Sequence, residues 1–492
     1  MSSHVDGAND STLEAGAITL PGVLMQAITH IGPAVGLLFT VQAIAGVAGV
    51  AVPVALGIGG LAMGLVAVSV IQLSKKMSSA GGYFTWVSNI IGPRTGFVVA
   101  WAFLLFEPIG AGINLSFMGG IIQSTLKNAY GFDFPWWITA LVGTALLTVI
   151  SLFGLKLSIG FVVGMGIFEI AIGVALAVTG LIHPGNGGFN FEPFMPTHAA
   201  SFNGLFLGVV FSIFTFAGFE AVAPLAEESA NPTKTLPRAV ILSLATTIVF
   251  FLIVGWGTLA GWGTNDVTSF VADGSPVLTF ARGAWGPLWI LVLISFINSI
   301  IGVGIAVQNA SSRVIFGMAR ARVLPPALAV VHARRRTPTN AVLLQSFVTL
   351  VVSVGGGFLL GTTGVFAFAG IIITILIIVV YISGNVAVWR LYRSKYRDEY
   401  SILTHLMVPI ASSLLLLYVG YKTLFPLPTG VNAWAPIVAI VWLVVGGVIV
   451  AVLSTSGSLG TLRRAGTAMS GTESNSTIDD GDAPLDDARA AT

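Results

Sequence analysis

The 492-residue chain reads as an all-α membrane protein of twelve transmembrane helices: two five-helix inverted repeats, then two C-terminal helices. Three observations carry that reading. The composition is 55% hydrophobic and 9% charged, whereas a soluble protein carries roughly 25% charged residues. Twelve apolar stretches approach or exceed the length needed to cross about 30 Å of hydrocarbon. Two of them, the first and the sixth, are interrupted at matching places. Paired interruptions in the two halves of a chain point to a transporter's binding site.

Span 1 covers 17–43 and breaks at Ile31-Gly32-Pro33-Ala34. A membrane helix satisfies its backbone internally; Pro33 removes one donor and crowds the preceding turn. Such a break is tolerated where it lines a protected cavity, which makes Thr29, His30, Gly32, Ala34, Val35 and Gly36 candidate substrate contacts. Span 2 covers 47–73. Span 3, 95–124, contains Glu107-Pro108; Pro108 kinks the helix, and Glu107 and Asn114, two turns on, are cavity candidates. Span 4, 136–154, is short. Span 5, 158–182, holds Glu169. Span 6, about 203–228, breaks at Phe216-Ala217-Gly218-Phe219-Glu220, so Phe214, Thr215, Phe216, Ala217 and Gly218 join the candidates. Spans 7 (238–262) and 8 (286–312, with Asn298 as a polar candidate) follow, then the short span 9 (340–360) and spans 10 (362–389), 11 (404–424) and 12 (434–454). Carboxylates at membrane depth are expensive and indicate function by default, which singles out Glu107, Glu169 and Glu220. An odd number of spans per repeat inverts one repeat relative to the other.

The expected organisation is a cytoplasmic tail at 1–16, a ten-helix transport core at 17–390, helices 11 and 12 at 391–454, and a cytoplasmic tail at 455–492. That last segment is Ser/Gly/Asp-rich and is expected to be disordered. With both termini inside, only Lys127, Arg282 and Lys422 of the 22 lysines and arginines fall on the outer side. Such a bias sets orientation. The polar N-terminal stretch predicts no cleavable leader. Cysteine is absent, so no disulfide framework or thiolate metal site is expected. No phosphate-cradling loop, metal-ligand cluster or nucleophile constellation is evident. The chain is therefore expected to be no enzyme, and to need no cofactor and no nucleic acid. Glu227-Glu228 with Arg238, and Arg313 with Arg320, are read as inner-side salt-bridge groups, and Arg334-Arg335-Arg336 as an orientation and lipid-headgroup signal.

Several local motifs occur in a fixed order: Ser79-Ala80-Gly81-Gly82-Tyr83 after span 2; Phe216 to Glu220, Glu227-Glu228, Asn231-Pro232 and Pro237-Arg238 around span 6; and Ser312 to Arg320, Leu324-Pro325 and Thr337-Pro338 after span 8. Over about residues 17–400 this ordered set resembles the amino acid–polyamine–organocation permeases. The resemblance implies the inverted-repeat fold of the leucine-transporter type and secondary active transport. It also implies roles. Gly32, Pro33 and Ala34 match a Gly-Ser-Gly whose amides hold a substrate carboxylate. Pro33 has no amide, so a weaker dependence on the carboxylate is expected, with Ala34, Val35 and Gly36 still offering amides at a helix start. The carbonyls of Phe214, Thr215 and Ala217 match positions that hold an ammonium, and Phe214 matches an aromatic that covers the substrate. Glu220 matches an acidic residue that links protonation to gating. Glu169 matches a lysine that fills the sodium position in proton-coupled relatives. Here it is expected either to carry the coupling proton or to serve as one ligand of a sodium ion.

These readings together predict a plasma-membrane permease that imports an amino acid or related small amine by alternating access, proton-coupled. Sodium coupling, a polyamine or other organic cation as substrate, and a non-transporting nutrient sensor are the alternatives.

Overall fold

A computed structural model describes residues 13–77, 79, 81–320 and 322–455. The expected disordered segment 455–492 falls outside them except for Thr455, as do residues 1–12 of the expected N-terminal tail. The described chain is helical without named strands. Its long helices are α1 (Leu20–Ala48), α2 (Val52–Ser74), α3 (Pro93–Tyr130), α4 (Trp136–Leu152), α5 (Leu155–Ile182), α6 (Phe202–Glu228), α7 (Pro232–Trp262), α8 (Ile290–Arg320), α9 (Thr339–Leu360), α10 (Thr362–Ser394), α11 (Leu403–Leu424) and α12 (Gly430–Val452). Eleven apolar helical segments among the described residues are long enough to cross a membrane, and α4, at the place of the fourth expected span, is a shorter apolar helix. The molecule is a multi-pass membrane protein.

Local chemistry explains where helices start. Prolines occupy the first turn of α1, α2, α3 and α7, where a missing N–H costs nothing. The Ser201 hydroxyl accepts the Gly204 N–H at 2.9 Å and caps α6. Packing then follows side-chain size and polarity. Gly180 on α5 meets Gly257 and Gly261 on α7 so closely that no Cβ fits between them, the small-residue contact that lets membrane helices approach. Polar glue binds other helices. Gln26 on α1 donates to the Ala306 carbonyl of α8 at 2.9 Å, and Asn385 on α10 donates to Ser412 and Ser413 on α11 at 3.0 and 2.9 Å. The apolar side chains of Ile437, Val441, Val444 and Val448 stay exposed along α12, as a lipid-facing row requires.

Two helices are broken, where the sequence predicts. In α1 the first half ends at Ile31, Gly32 adopts φ 71° and ψ 68°, and helix resumes at Pro33. In α6 regular helix ends at Phe216, Ala217 is extended, Gly218 has φ 122°, and a 3-10 stretch, Phe219–Glu228, completes the span. The first half of α1 packs on the second half of α6, and the last turns of α1 pack on the first half of α6. The two breaks therefore sit beside each other in the middle of the bundle, flanked by α3, α8 and α10.

Candidate functional site

At the breaks lies a cavity of about 640 Å³. Its wall includes His30, Val35 and Gly36 from α1, Glu107 and Asn114 from α3, and Phe214, Thr215, Ala217, Gly218 and Glu220 from α6. The remaining sequence candidates lie outside the wall. Thr29 is buried and its hydroxyl donates to the Val162 carbonyl at 3.3 Å. Phe216 is buried against the Phe251 ring at a centroid distance of 5.4 Å. Asn298 donates to the Met165 carbonyl at 2.9 Å, tying α8 to α5. Gly32, Ala34 and Glu169 sit behind the break of α1, toward α5 and α8.

That placement decides what the helix ends offer. The Ala34 N–H, the first amide of the second half of α1, donates to Glu169 Oε2 at 3.3 Å. The Val35 N–H donates to Ser299 Oγ at 3.4 Å, and the Gly36 N–H to the Gly32 carbonyl at 2.9 Å. The amides expected to be open to a substrate carboxylate are thus engaged within the protein. The same device recurs in α6, where the Gly218 N–H donates to Glu220 Oε2 at 2.9 Å. A helix N-terminus presents free N–H donors and a partial positive charge; in both broken helices the group that accepts there is one of the chain's own glutamate carboxyls.

The polar inventory facing the cavity is small. His30 Nε2 lies 3.6 Å from Glu107 Oε2. His30 Nδ1 and Glu107 Oε1 are buried without a hydrogen-bond partner, as is Glu169 Oε1 behind the break. The Thr215 hydroxyl lies 2.9 Å from that of Thr40 and 3.1 Å from the Phe211 carbonyl. Apolar groups fill the rest: Phe39, Phe106, Phe211 and Phe366 with Ile113, Val210, Ile373 and Ile377. Several of these were not foreseen. Along α10, Phe366, Gly370, Ile373, Thr374 and Ile377 fall on one helical face; Thr374, alone in an otherwise apolar run from Ile371 to Ile378, was the available signal. Lys422 lines the mouth, and a lone lysine near the end of an apolar span was a second such signal.

The cavity lining extends to Lys422 and Thr423 at one end of the bundle and, along α6 toward the other end, stops at Glu220. At its mouth Lys422 Nζ lies 3.5 Å from Asn203 Oδ1, at the start of α6. The opposite end of α6 carries Glu227 and Glu228, at the close of a 3-10 stretch that rises about 2.0 Å per residue. There Arg313 Nε donates to Glu228 Oε2 at 2.9 Å and Nη2 to Oε1 at 3.3 Å, with both side chains almost completely buried. Arg320 grips Glu227 the same way, at 2.7 and 3.2 Å. The chain ahead of α1 covers these pairs. The Ile18 N–H donates to the Glu228 carbonyl at 3.0 Å, and the Ala230 N–H to the Ile18 carbonyl at 2.9 Å. Leu13 packs on Phe316. The inner-side groups expected from the sequence thus pair glutamate to arginine across α6 and α8, while Arg238 is exposed on α7.

Comparison with known proteins follows the same outline. The family model for amino acid permease matches residues 22–458. A branched-chain amino acid permease of Lactococcus lactis is 25% identical over 363 residues, covering 69% of this chain and 74% of its own. An aromatic amino acid transport protein of Escherichia coli is 25% identical over 394 residues, 75% of this chain and 80% of its own. A low-affinity putrescine importer of Escherichia coli is 23% identical over 359 residues, 71% of this chain and 77% of its own.

Proposed function

The chain belongs to the amino acid permease family, and on that premise we propose that it imports an amino acid or related small amine across the cytoplasmic membrane by proton-driven alternating access. One observation carries the proposal: the two helix breaks share a single cavity that reaches one end of the bundle, while two ion pairs, one buried and one partly exposed, lie at the other end. A solute entering past Lys422 arrives at Glu107, Glu220 and the span 6 break. Release on the far side requires the Arg313–Glu228 and Arg320–Glu227 pairs to part. This is the outward-open stage of a cycle in which one set of helices rocks against the rest. The mutual packing of opposite halves of α1 and α6 supports reading spans 1–5 and 6–10 as inverted repeats, with both termini cytoplasmic. Relatives named for amino acids and for putrescine share a substrate amine, the group that two cavity carboxyls attract.

Glu169 is the proposed carrier of the coupling proton. It is fully buried, bonds the amide that begins the second half of α1, and lies beside the Ser299 hydroxyl of α8. A change in its charge alters how firmly α1 is held to α5 and α8, and that junction must loosen for α1 to move. The test is uptake by purified protein in liposomes, measured with an inward proton gradient, with an inward sodium gradient, and with neither. Accumulation driven by protons alone is expected. Accumulation only with sodium would overturn the coupling, and binding without accumulation under any gradient would overturn transport itself.

A further inference from the structure

We propose that the substrate is an apolar primary amine that carries no carboxylate. The proposal rests on the transport reading above and deepens it. A carboxylate held at membrane depth needs donors, because no bulk water is there to replace them. Broken helices supply donors at their restarted N-termini. In this chain those donors are taken: the Ala34 amide by Glu169, the Val35 amide by Ser299, the Gly36 amide by the Gly32 carbonyl, and the Gly218 amide by Glu220. Two of the four are capped by full carboxyl groups, and Glu169 binds from behind the break, where a ligand in the cavity cannot reach it. No arginine lines the cavity among the described residues, and the lysine that does, Lys422, stands at the mouth.

The same wall suits an ammonium. Glu107 and Glu220 face the cavity, and Glu107 Oε1 is a buried acceptor with no partner. An ammonium brings three donors and would satisfy that atom, whereas a substrate carboxylate brings only acceptors. Phe106 and Phe214 line the same region, and aromatic faces attract a cation desolvated beside them. Most of the remaining wall is hydrocarbon and ring surface, interrupted by Asn114 and the hydroxyls of Thr40, Thr215 and Thr374, so the body attached to the amine is largely apolar. Chemically, the fitting ligand is an aralkyl or branched alkyl monoamine.

The test uses matched pairs on the intact protein in lipid nanodiscs and liposomes: phenethylamine against phenylalanine, 3-methylbutylamine against leucine, and leucine methyl ester as a masked carboxylate. Thermal stabilisation and accumulation of labelled compound are both read. The amines and the ester are expected to bind roughly tenfold or more tightly than the free amino acids, a ratio equivalent to about 1.4 kcal/mol. Glu107→Leu should abolish the preference by removing the acceptor. Glu169→Ala should narrow the gap by leaving the Ala34 amide without its acceptor and opening the space behind the break to a carboxylate, whereas Glu169→Gln keeps an acceptor there and should leave the gap unchanged. Tighter binding and accumulation of phenylalanine or leucine would overturn the amine proposal and leave the transport reading standing. Stabilisation by phenethylamine with no accumulation of any compound would keep the binding proposal and sink transport. A gap unchanged in Glu169→Ala would remove the capping argument, and with it the proposal.

Discussion

Gly218 holds a φ of 122°, and a Cβ built there would lie 2.8 Å from His30 Cδ2. A side chain at this position meets both a backbone conformation that costs about 1–3 kcal/mol for other residues and the ring that faces Glu107. Gly218→Val should therefore reduce uptake at least roughly tenfold while the protein still reaches the membrane, as surface labelling and an uptake assay would show; wild-type uptake would remove the span 6 break from the site. Glu169 makes a different prediction. Its amide isostere keeps an acceptor for the Ala34 N–H but cannot change charge. Glu169→Gln should bind substrate and support exchange across the liposome wall, yet fail to concentrate it against a gradient. Intact proton-driven accumulation by that variant would pass the coupling role to Glu220 or Glu107.

At the scale of elements, two ion pairs join the end of α6 to the end of α8. Arg313 is among the largest fully buried side chains of the molecule. Removing one partner of such a pair strands the other charge, at a cost of about 3–5 kcal/mol, whereas replacing both with apolar groups is often neutral. Arg313→Ala should lower thermal stability in nanodiscs more than Arg313→Met combined with Glu228→Met. It should also speed the labelling of a cysteine placed at Ser229, which is 4% exposed beside the pair. The chain has no native cysteine, so a single introduced thiol reports without background. Equal labelling in both backgrounds would mean that the pairs do not hold this end shut. Element positions were legible in the sequence because their causes are local: Pro33 and Gly218 break helices by their own chemistry, and Glu227-Glu228 announce a charged helix end. What caps the broken ends was not legible. The Ala34 amide and Glu169 are separated by 135 positions, and nothing in hydropathy or spacing tells which face of α5 turns toward α1. For the same reason Asn298 read as a cavity residue and stands instead between α8 and α5, while Phe39, Phe106 and Phe366, which no sequence signal singled out, stand in the wall.

For the whole molecule, charge is distributed along the route a solute takes. Lys422 stands at the entrance and two glutamates lie at the bottom. A fixed positive charge at the entrance slows the approach of a cation over a distance set by salt, about 10 Å at 0.1 M. Lys422→Gln should therefore raise the association rate of a cationic amine a few-fold at low ionic strength, with the advantage fading at high salt. A salt-independent change would assign Lys422 a contact role instead. The double arginine seal has a further consequence, in membrane voltage. Each arginine faces its own glutamate, so the seal as a whole is neutral, and an opening in which the partners part sideways displaces little net charge across the bilayer. An amine that crosses as a cation does displace charge, and each elementary charge gains about 2.3 kcal/mol per 100 mV. The steepness with which uptake follows an imposed potential should therefore count the charges on the solute and its coupling ion, and should stay the same when the Arg313–Glu228 pair is replaced by methionines.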